Sequence, residues 1–497
     1  MPLRNLLIIC IAAILSVACY SVSARNRYAN IFAEALNVVE QRALQSMSRE
    51  DLFDAAMDGL VSKLDRHSRY LHDDDLDSFQ ISIDQQFGGI GVFIGLGDSA
   101  GQLFVRAAFP GSPADRAGIE PGDIITAIDG VNLDDEQPDG AIKNMKGNVD
   151  EPVTLTVLRD GKNLDFKMVR EVIYVPNVRG DRWMPDGEWK FTVKQAPKIG
   201  YVRVLSFGKE TSDEFRATLE KLAGNIDGLI IDLRGNAGGL LDSAIDLCDM
   251  LLVKELDIVS IRSRQRHITQ KTYSSTVAPI LSSAVPIVVL IDRYSASASE
   301  IMAGCLQDHG RATLIGEQTW GKGTVQDVLP IEHGESALKL TTSSYWRPSG
   351  KNIDRDFAKE NGDEKWGVQP DVGFEVALEE IEVQRNEYYR SEYELRTLTG
   401  GMKFPKVFLE NPSESEDPSE IEGETEESSG SNALGADFDE QQDMPVEKDD
   451  SPEKSSDQTP TLEPIDPDGY HDKTFDRALE YLESLESTSA VAIPRAA

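Results

Sequence analysis

The sequence predicts a multidomain chain of mixed class. It has an α/β core, a β-rich segment ahead of it, helices near the N-terminus and a disordered acidic stretch towards the end. Three observations carry this expectation. From about residue 199, short apolar runs alternate with helical patterns, as an α/β core requires. Between residues 84 and 172, β-rich runs are separated by Gly and Pro. The charge, finally, is concentrated. The 497 residues hold 86 acidic and 50 basic side chains, a formal charge of −36. The segment from Glu410 to Asp468 alone holds 21 acidic residues against Lys448 and Lys454. Such an acidic balance argues against nucleic acid as a partner, because phosphates are neutralised by clustered Lys and Arg. The 40% apolar content suffices for a buried core, and the composition excludes collagen, coiled coil and a polytopic membrane protein. Four cysteines are too few for a disulfide scaffold, and Cys248 and Cys305 read as reduced core residues.

Taken in order, residues 1–24 read as an address. Arg4 precedes an apolar run from Leu6 to Cys19, followed by Ser21-Val22-Ser23-Ala24. This is the pattern of a secretory signal, with an uncleaved membrane anchor as the alternative. Lipidation at Cys19 is the weaker reading, because Ser16 replaces the expected Leu. The protein is therefore expected to be exported, to the periplasm or cell envelope. Residues 25–83 read as helices, with apolar spacing through Ile31, Ala35, Leu36 and Val39, then Leu52, Ala56, Leu60 and Leu64. In the β-rich segment 84–172, strands are expected at Phe104–Ala107, Ile124–Ile128, Val153–Leu158 and Asn163–Val169, with Asp160-Gly161 as a hairpin turn. The core, 173–408, reads as strand Gly200–Val204, helix Thr211–Asn225, strand Gly228–Leu233, helix Asp242–Leu252 and strand Pro286–Ile291. Residues 409–468, rich in Ser and Pro, read as a disordered linker, and 469–497 as a final amphipathic helix.

Three short segments carry chemistry. In Tyr294-Ser295-Ala296-Ser297-Ala298-Ser299-Glu300, a serine follows a strand and opens a helix. Such a turn projects a hydroxyl beside unpaired helix N–H groups. Ser297 and Glu300 also fit a capping box, and taken alone the pattern favours the cap over a nucleophile. A serine nucleophile needs a base. None of the six histidines stands in a Ser–His–Asp pattern, which leaves Lys322 in Trp320-Gly321-Lys322-Gly323. A lysine acts as base only where desolvation favours its neutral form. The flanking glycines allow close packing, Trp320 can exclude water, and Gln326 can hold the lysine through its amide oxygen. A P-loop reading of Gly316 to Lys322 fails, because Gly323 stands where Ser or Thr should bind magnesium. The third segment, Asp232 to Leu240, passes through Gly238-Gly239 into a helix. Its N–H groups could stabilise an oxyanion, and a simple tight turn explains the glycines equally well.

Together these segments resemble the C-terminal processing peptidases, or tail-specific proteases, which use a Ser–Lys dyad. The matching stretches are SASASEIMAG (295–304), GEQTWGKGTVQ (316–326), IDLRGNAGGLL (231–241), KLTTSSYWRPSGKNI (339–353), GVQPDV (367–372) and LDRHSRYL (64–71). The serine and lysine stand 25 residues apart. The resemblance implies Ser297 as nucleophile, Lys322 as general base and Gln326 as the residue orienting it. It implies the backbone N–H groups of Gly239 and Ala298 as oxyanion donors. It also implies a crotonase/ClpP-like α/β core and no metal or organic cofactor. The departures are Trp320, Cys305 and Arg66, none of them in the dyad. Residues 84–172 would be an inserted PDZ domain, with Gly88, Gly89, Ile90, Gly91 and Val92 as the loop that binds a terminal carboxylate. The expected partners are polypeptides with free, apolar C-termini, with membrane association through the N-terminal segment. The alternatives are a non-catalytic PDZ scaffold of the cell envelope or a different hydrolase such as an esterase.

Overall fold

The computed structural model describes residues 27–96, 102–133, 138–184, 187–263, 270–395 and 471–491. The N-terminal apolar run and the acidic segment 409–468 lie outside these. The chain divides into two compact units, one made of residues 1–73 with 326–341 and the other of 74–325 with 342–497.

In the first unit, helices Arg27–Arg42 and Arg49–Val61 form where the apolar spacing places them. Ser48 caps the second helix in a capping box with Asp51. The apolar stripe is nevertheless uncovered: Arg27–Arg42 has no buried residue, and Leu60 and Leu64 are exposed. The expectation of helix throughout 25–83 also needs correction. Residues Arg69–His72 form a strand, because they pair antiparallel with Ser336–Lys339, a partner far away in sequence.

The second unit holds the β-rich module and the α/β core. The module is entered through β1 (Gln86–Gly89) and left through β7 (Glu171–Tyr174), and the two pair antiparallel. Between them β2 (Val92–Leu96), β3 (Leu103–Ala108), β4 (Ile124–Ile128), β5 (Pro152–Arg159) and β6 (Lys162–Val169) form a sheet in that order, so β2 is an edge strand. Alternate residues of β5, Val153, Leu155 and Val157, face the module's core beside Leu103, Val105 and Ile125. Asp160 and Gly161 both have positive φ, 50° and 73°, the primed turn that a two-residue hairpin favours.

In the core, β8 (Val178–Arg179), β9 (Ile199–Val204), β10 (Gly228–Asp232), β11 (Ile287–Ile291) and β12 (Ala312–Gly316) are neighbours in that order. The strands β9 to β12 run parallel. Parallel neighbours need crossovers, here supplied by α1 (Thr211–Leu222), α2 (Leu241–Asp249) and α3 (Ala298–Asp308). The strands are mostly apolar because both faces are covered, with Arg179, Arg203 and Asp232 as buried exceptions. Val202, Leu229, Ile231, Val289 and Leu314 face α1 to α3, with Phe215, Leu219, Leu247, Met302 and Leu306. The alternate residues Tyr201, Ile230, Val288, Leu290 and Ile315 meet Phe475, Ala478, Leu479 and Leu482 of α4 (Lys473–Val491). Helix α1 ends three residues before the expected Asn225, because Gly224 takes a left-handed conformation, φ 76°.

Leu482 is fully buried against the sheet, and truncating it opens a cavity. Leu482→Ala should lower unfolding stability by about 2–5 kcal/mol in chemical denaturation. Leu60→Ala, at a position 61% exposed, should change it by no more than about 0.5 kcal/mol.

Candidate functional site

All three chemical segments leave the C-terminal ends of neighbouring parallel strands. The glycine loop follows β10, the serine turn follows β11, and the lysine loop follows β12. This is the end of a parallel sheet at which α/β proteins build their sites.

The serine turn is held rigidly. Ser295 Oγ donates to Leu233 O at 2.8 Å, and Ser299 Oγ donates to Asn236 O at 2.8 Å. Ala296 N–H donates to the same Asn236 carbonyl at 3.0 Å. These bonds fasten the serine turn to the glycine loop. Between its buried neighbours, Ser297 alone of residues 295–300 is only half-buried. Its backbone is strained, with φ 54° and ψ −114°, a conformation that non-glycine residues adopt where surroundings impose it.

Glycine is required in the facing loop. Gly238 has φ 115°, and a Cβ there would lie 2.8 Å from Ser297 Cβ and 3.1 Å from Ala298 N. Asn236 sets the loop's conformation: its Nδ2 donates to Val204 O at 2.8 Å, and its Oδ1 accepts the Gly238 N–H at 2.8 Å. The neighbouring Gly239 N–H takes no acceptor among the described residues. The N–H of Ala298, at the first position of α3, has no carbonyl one turn back to bond. Below the loop, Asp292 accepts the N–H groups of Gly235, Tyr294 and Ser295, and burial pushes its carboxyl up to about 6.

Lys322 is buried, 6% exposed. The flanking glycines do allow close packing: a Cβ at Gly321 would meet Trp366 at 2.5 Å, and one at Gly323 would meet Asp354 at 2.5 Å. The Arg355 guanidinium stacks over the rings of Trp320 and Trp366, closing this side of the loop.

The residue that joins serine and lysine is Glu300, which sequence reasoning saw only as a helix-cap partner. Its Oε2 accepts the backbone N–H of Ser297 and that of Lys322, each at 2.9 Å. Its Oε1 accepts the Gly321 N–H at 2.8 Å and the Thr319 hydroxyl at 2.5 Å. The side chain is fully buried. Burial raises its carboxyl to about 7, against the lowering effect of those four donors. The Ser-x-x-Glu spacing was a visible signal, but the bonds to the lysine loop depend on strand order.

The remaining candidates are placed as follows. Gln326, in the first unit, is half-buried and donates through Nε2 to Thr341 Oγ1 at 3.1 Å. Thr341 Oγ1 donates in turn to Asp65 at 3.0 Å, which joins two of the matching stretches. In the module, Gly88 and Gly89 belong to β1 and pair with Val172 and Glu171, outside the expected loop. Glycine is needed at 88 because a Cβ would lie 2.0 Å from Gly147 O. Ile90 and Gly91 form the loop itself, and their N–H groups take no acceptor among the described residues. Val92 begins the edge strand β2.

Known proteins are similar to this chain in sequence. The pattern of peptidase family S41 matches residues 198–374, and that of the PDZ domain matches residues 104–159. The carboxy-terminal-processing protease of Bartonella bacilliformis is 35% identical over 339 residues, 67% of this chain and 71% of its own. The carboxy-terminal processing protease CtpB of Bacillus subtilis is 30% identical over 354 residues, 70% of this chain and 68% of its own. The solved structure of photosystem II D1 C-terminal processing protease aligns with 74% of this chain and 96% of its own, at 26% identity and a TM-score of 0.38. On the strength of the sequence relatives, the chain belongs to peptidase family S41, the carboxy-terminal-processing proteases, and carries a PDZ domain.

Proposed function

We propose that this serine peptidase is an exported endopeptidase that takes polypeptides by their C-terminal tails and cleaves them with a Ser297–Lys322 dyad. The observation that carries the reading is the shared Glu300 oxygen, which bonds the backbones of Ser297 and Lys322 at once. Ser297 Oγ attacks the scissile carbonyl, and Lys322 Nζ accepts its proton. The N–H groups of Gly239 and Ala298 hold the developing oxyanion. Lys322 then returns the proton to the leaving amine, and water hydrolyses the acyl-enzyme. The orienting role of Gln326 rests on the resemblance of its motif. The parallel strands β9 to β12 and their crossover helices support a relation of the core to the crotonase/ClpP-like fold.

Tail capture is assigned to the PDZ domain. The unpaired N–H groups of Ile90 and Gly91 suit a terminal carboxylate, and the edge of β2 suits an added peptide strand. An apolar last residue is the expected preference. Export, with membrane association as its extension, is supported by the apolar run after Arg4. A scaffold role is disfavoured by the presence of both dyad residues.

Ser297→Ala and Lys322→Ala should each abolish cleavage of an unstructured, apolar-tailed peptide while leaving its binding intact, measured by peptide digestion and fluorescence anisotropy. Activity retained in either variant would sink the dyad. Gly238→Ala should lower kcat by about 10² or more, because the new methyl displaces Ser297 and the oxyanion loop. Glu300→Gln places an amide nitrogen against buried N–H donors, a loss of about 1–3 kcal/mol per orphaned donor, so kcat should fall at least about ten-fold. In the wild type, Glu300 is ionised above about pH 7 and takes up a proton below it. One oxygen then becomes a donor facing donors, so kcat should fall as pH drops through about 7. Because protonation of the Lys322 base also lowers kcat, Glu300→Gln should keep an acid limb of changed position or steepness, and a profile that matches the wild type's would remove Glu300 from the site's chemistry.

A further inference from the structure

The two chain crossings between the PDZ domain and the core, residue 85 on entry and 174–178 on exit, meet on one helix. Gln85 is buried and has a left-handed backbone, φ 57°. Its carbonyl accepts the Val175 N–H at 3.0 Å, so the crossings are bonded to each other. Its side chain points into the core. Gln85 Oε1 accepts the Glu210 N–H at 2.9 Å, at the start of α1, and Nε2 donates to Glu214 Oε1 at 3.1 Å. Glu214 also takes the exit crossing: its Oε2 accepts the Val178 N–H at 2.6 Å, and its Oε1 accepts the Tyr174 hydroxyl.

From this junction a short run of bonds reaches the glycine loop. Thr211, fully buried, donates through Oγ1 to Ser206 O at 3.1 Å and accepts the Gly208 N–H at 2.9 Å. Its hydroxyl also lies 3.4 Å from Gln85 Oε1. Those two bonds bracket Phe207. The Phe207 N–H donates to Gly238 O at 2.9 Å, and its carbonyl accepts the Leu240 N–H at 2.6 Å. Phe207 and Gly239 pair as an isolated parallel bridge. A Cβ on Gly239 would lie 2.5 Å from Phe207 O, so the two backbones are in direct contact. Gly208 is equally confined, since a Cβ there would lie 2.5 Å from Gln85 Oε1.

We propose that Gln85, Thr211 and Glu214 are positioning residues for the hydrolytic reaction. They bind both crossings of the PDZ domain to the segment Ser206–Gly208 that backs the Gly238-Gly239 loop, and so set the direction of the Gly239 N–H. The proposal rests on the assignment of Gly239 as an oxyanion donor to Ser297. It places the control of chemistry in a polar junction that touches neither substrate nor dyad. Gln85 suits the task because an amide offers a donor to a carboxylate and an acceptor to an N–H at the same time. A glutamate there would set a second carboxylate against Glu214.

The test uses the full chain with Gln85→Ala, Thr211→Val and Glu214→Gln, the last two being close in shape to the native residues. Three quantities are read. They are kcat on an apolar-tailed peptide, the rate of fluorophosphonate labelling at Ser297, and the Kd of the same peptide in a Ser297→Ala background. Each variant is expected to lower kcat and the labelling rate together by about ten-fold or more, while Kd stays within about two-fold. Variants that keep wild-type kcat and labelling rates overturn the proposal. So does a loss of kcat that follows only the fraction of unfolded protein at the assay temperature, since that is what a purely structural role predicts. Absence of labelling at Ser297 in the wild type would instead overturn the underlying site assignment.

Discussion

A single buried carboxylate organises the centre of this molecule. Glu300 gathers four donors from two loops, two on each oxygen, and all four come from the chain that carries the proposed dyad. Only a carboxylate can accept at both ends, which is why the neutral amide of the same shape is a poor substitute. Burying the charge is unfavourable, and the bonds offset that cost only in part, as the raised carboxyl records. The arrangement therefore gives up some stability to fix two backbones against one point. The cap geometry at the start of α3 and the strained Ser297 backbone are both consistent with that compromise.

The opposite side of the sheet is held by a second kind of buried charge. Arg234, the residue before the glycine loop, pairs with Asp232 at 2.7 Å and with Asp472 at the start of α4 at 2.9 Å. Burial would raise the Asp472 carboxyl, but Arg234 and Arg390 hold it below the usual range. Arg203 and Arg179 close on Glu394 of the helix Glu380–Leu395, each at 3.1 Å. Such networks contribute less net stability than their contacts suggest, yet removing one partner strands a charge in the interior. They tie the helix Glu380–Leu395 and the start of α4 to the core sheet.

Much of this was legible in the sequence, and what was missed has physical causes. Strand β4 matched its expected limits, Ile124–Ile128, because alternation and turn residues are local signals. The parallel strands could be read because burial on both faces leaves an unbroken apolar run. The serine, lysine and glycine segments were each recognisable, whereas their meeting depends on strand order in one sheet. The strand Arg69–His72 was hidden because its partner lies at 336–339. The helix Glu380–Leu395 escaped because it has little apolar periodicity and is held by ions. On the N-terminal helices the spacing told which face is apolar, but spacing cannot tell whether anything covers it. The sequence also suggested a run of exposed glycine N–H groups in the PDZ loop, where Gly88 and Gly89 instead complete a strand pair.

Helix α4 has one more consequence, in time rather than in space. The face of the core sheet that carries Tyr201, Ile230, Val288, Leu290 and Ile315 is sealed by Phe475, Ala478, Leu479 and Leu482. Those residues leave the ribosome long after the strands they cover. Until they are made, that face has only the partial cover of residues such as Val193 and Phe374, and Arg234 lacks its bond to Asp472. Arg234, which leads into the glycine loop, therefore completes its ion pairs only after Asp472 has been made. The sheet face beneath α4 is thus closed by the element that is made last among those described, so its burial depends on a segment distant in sequence.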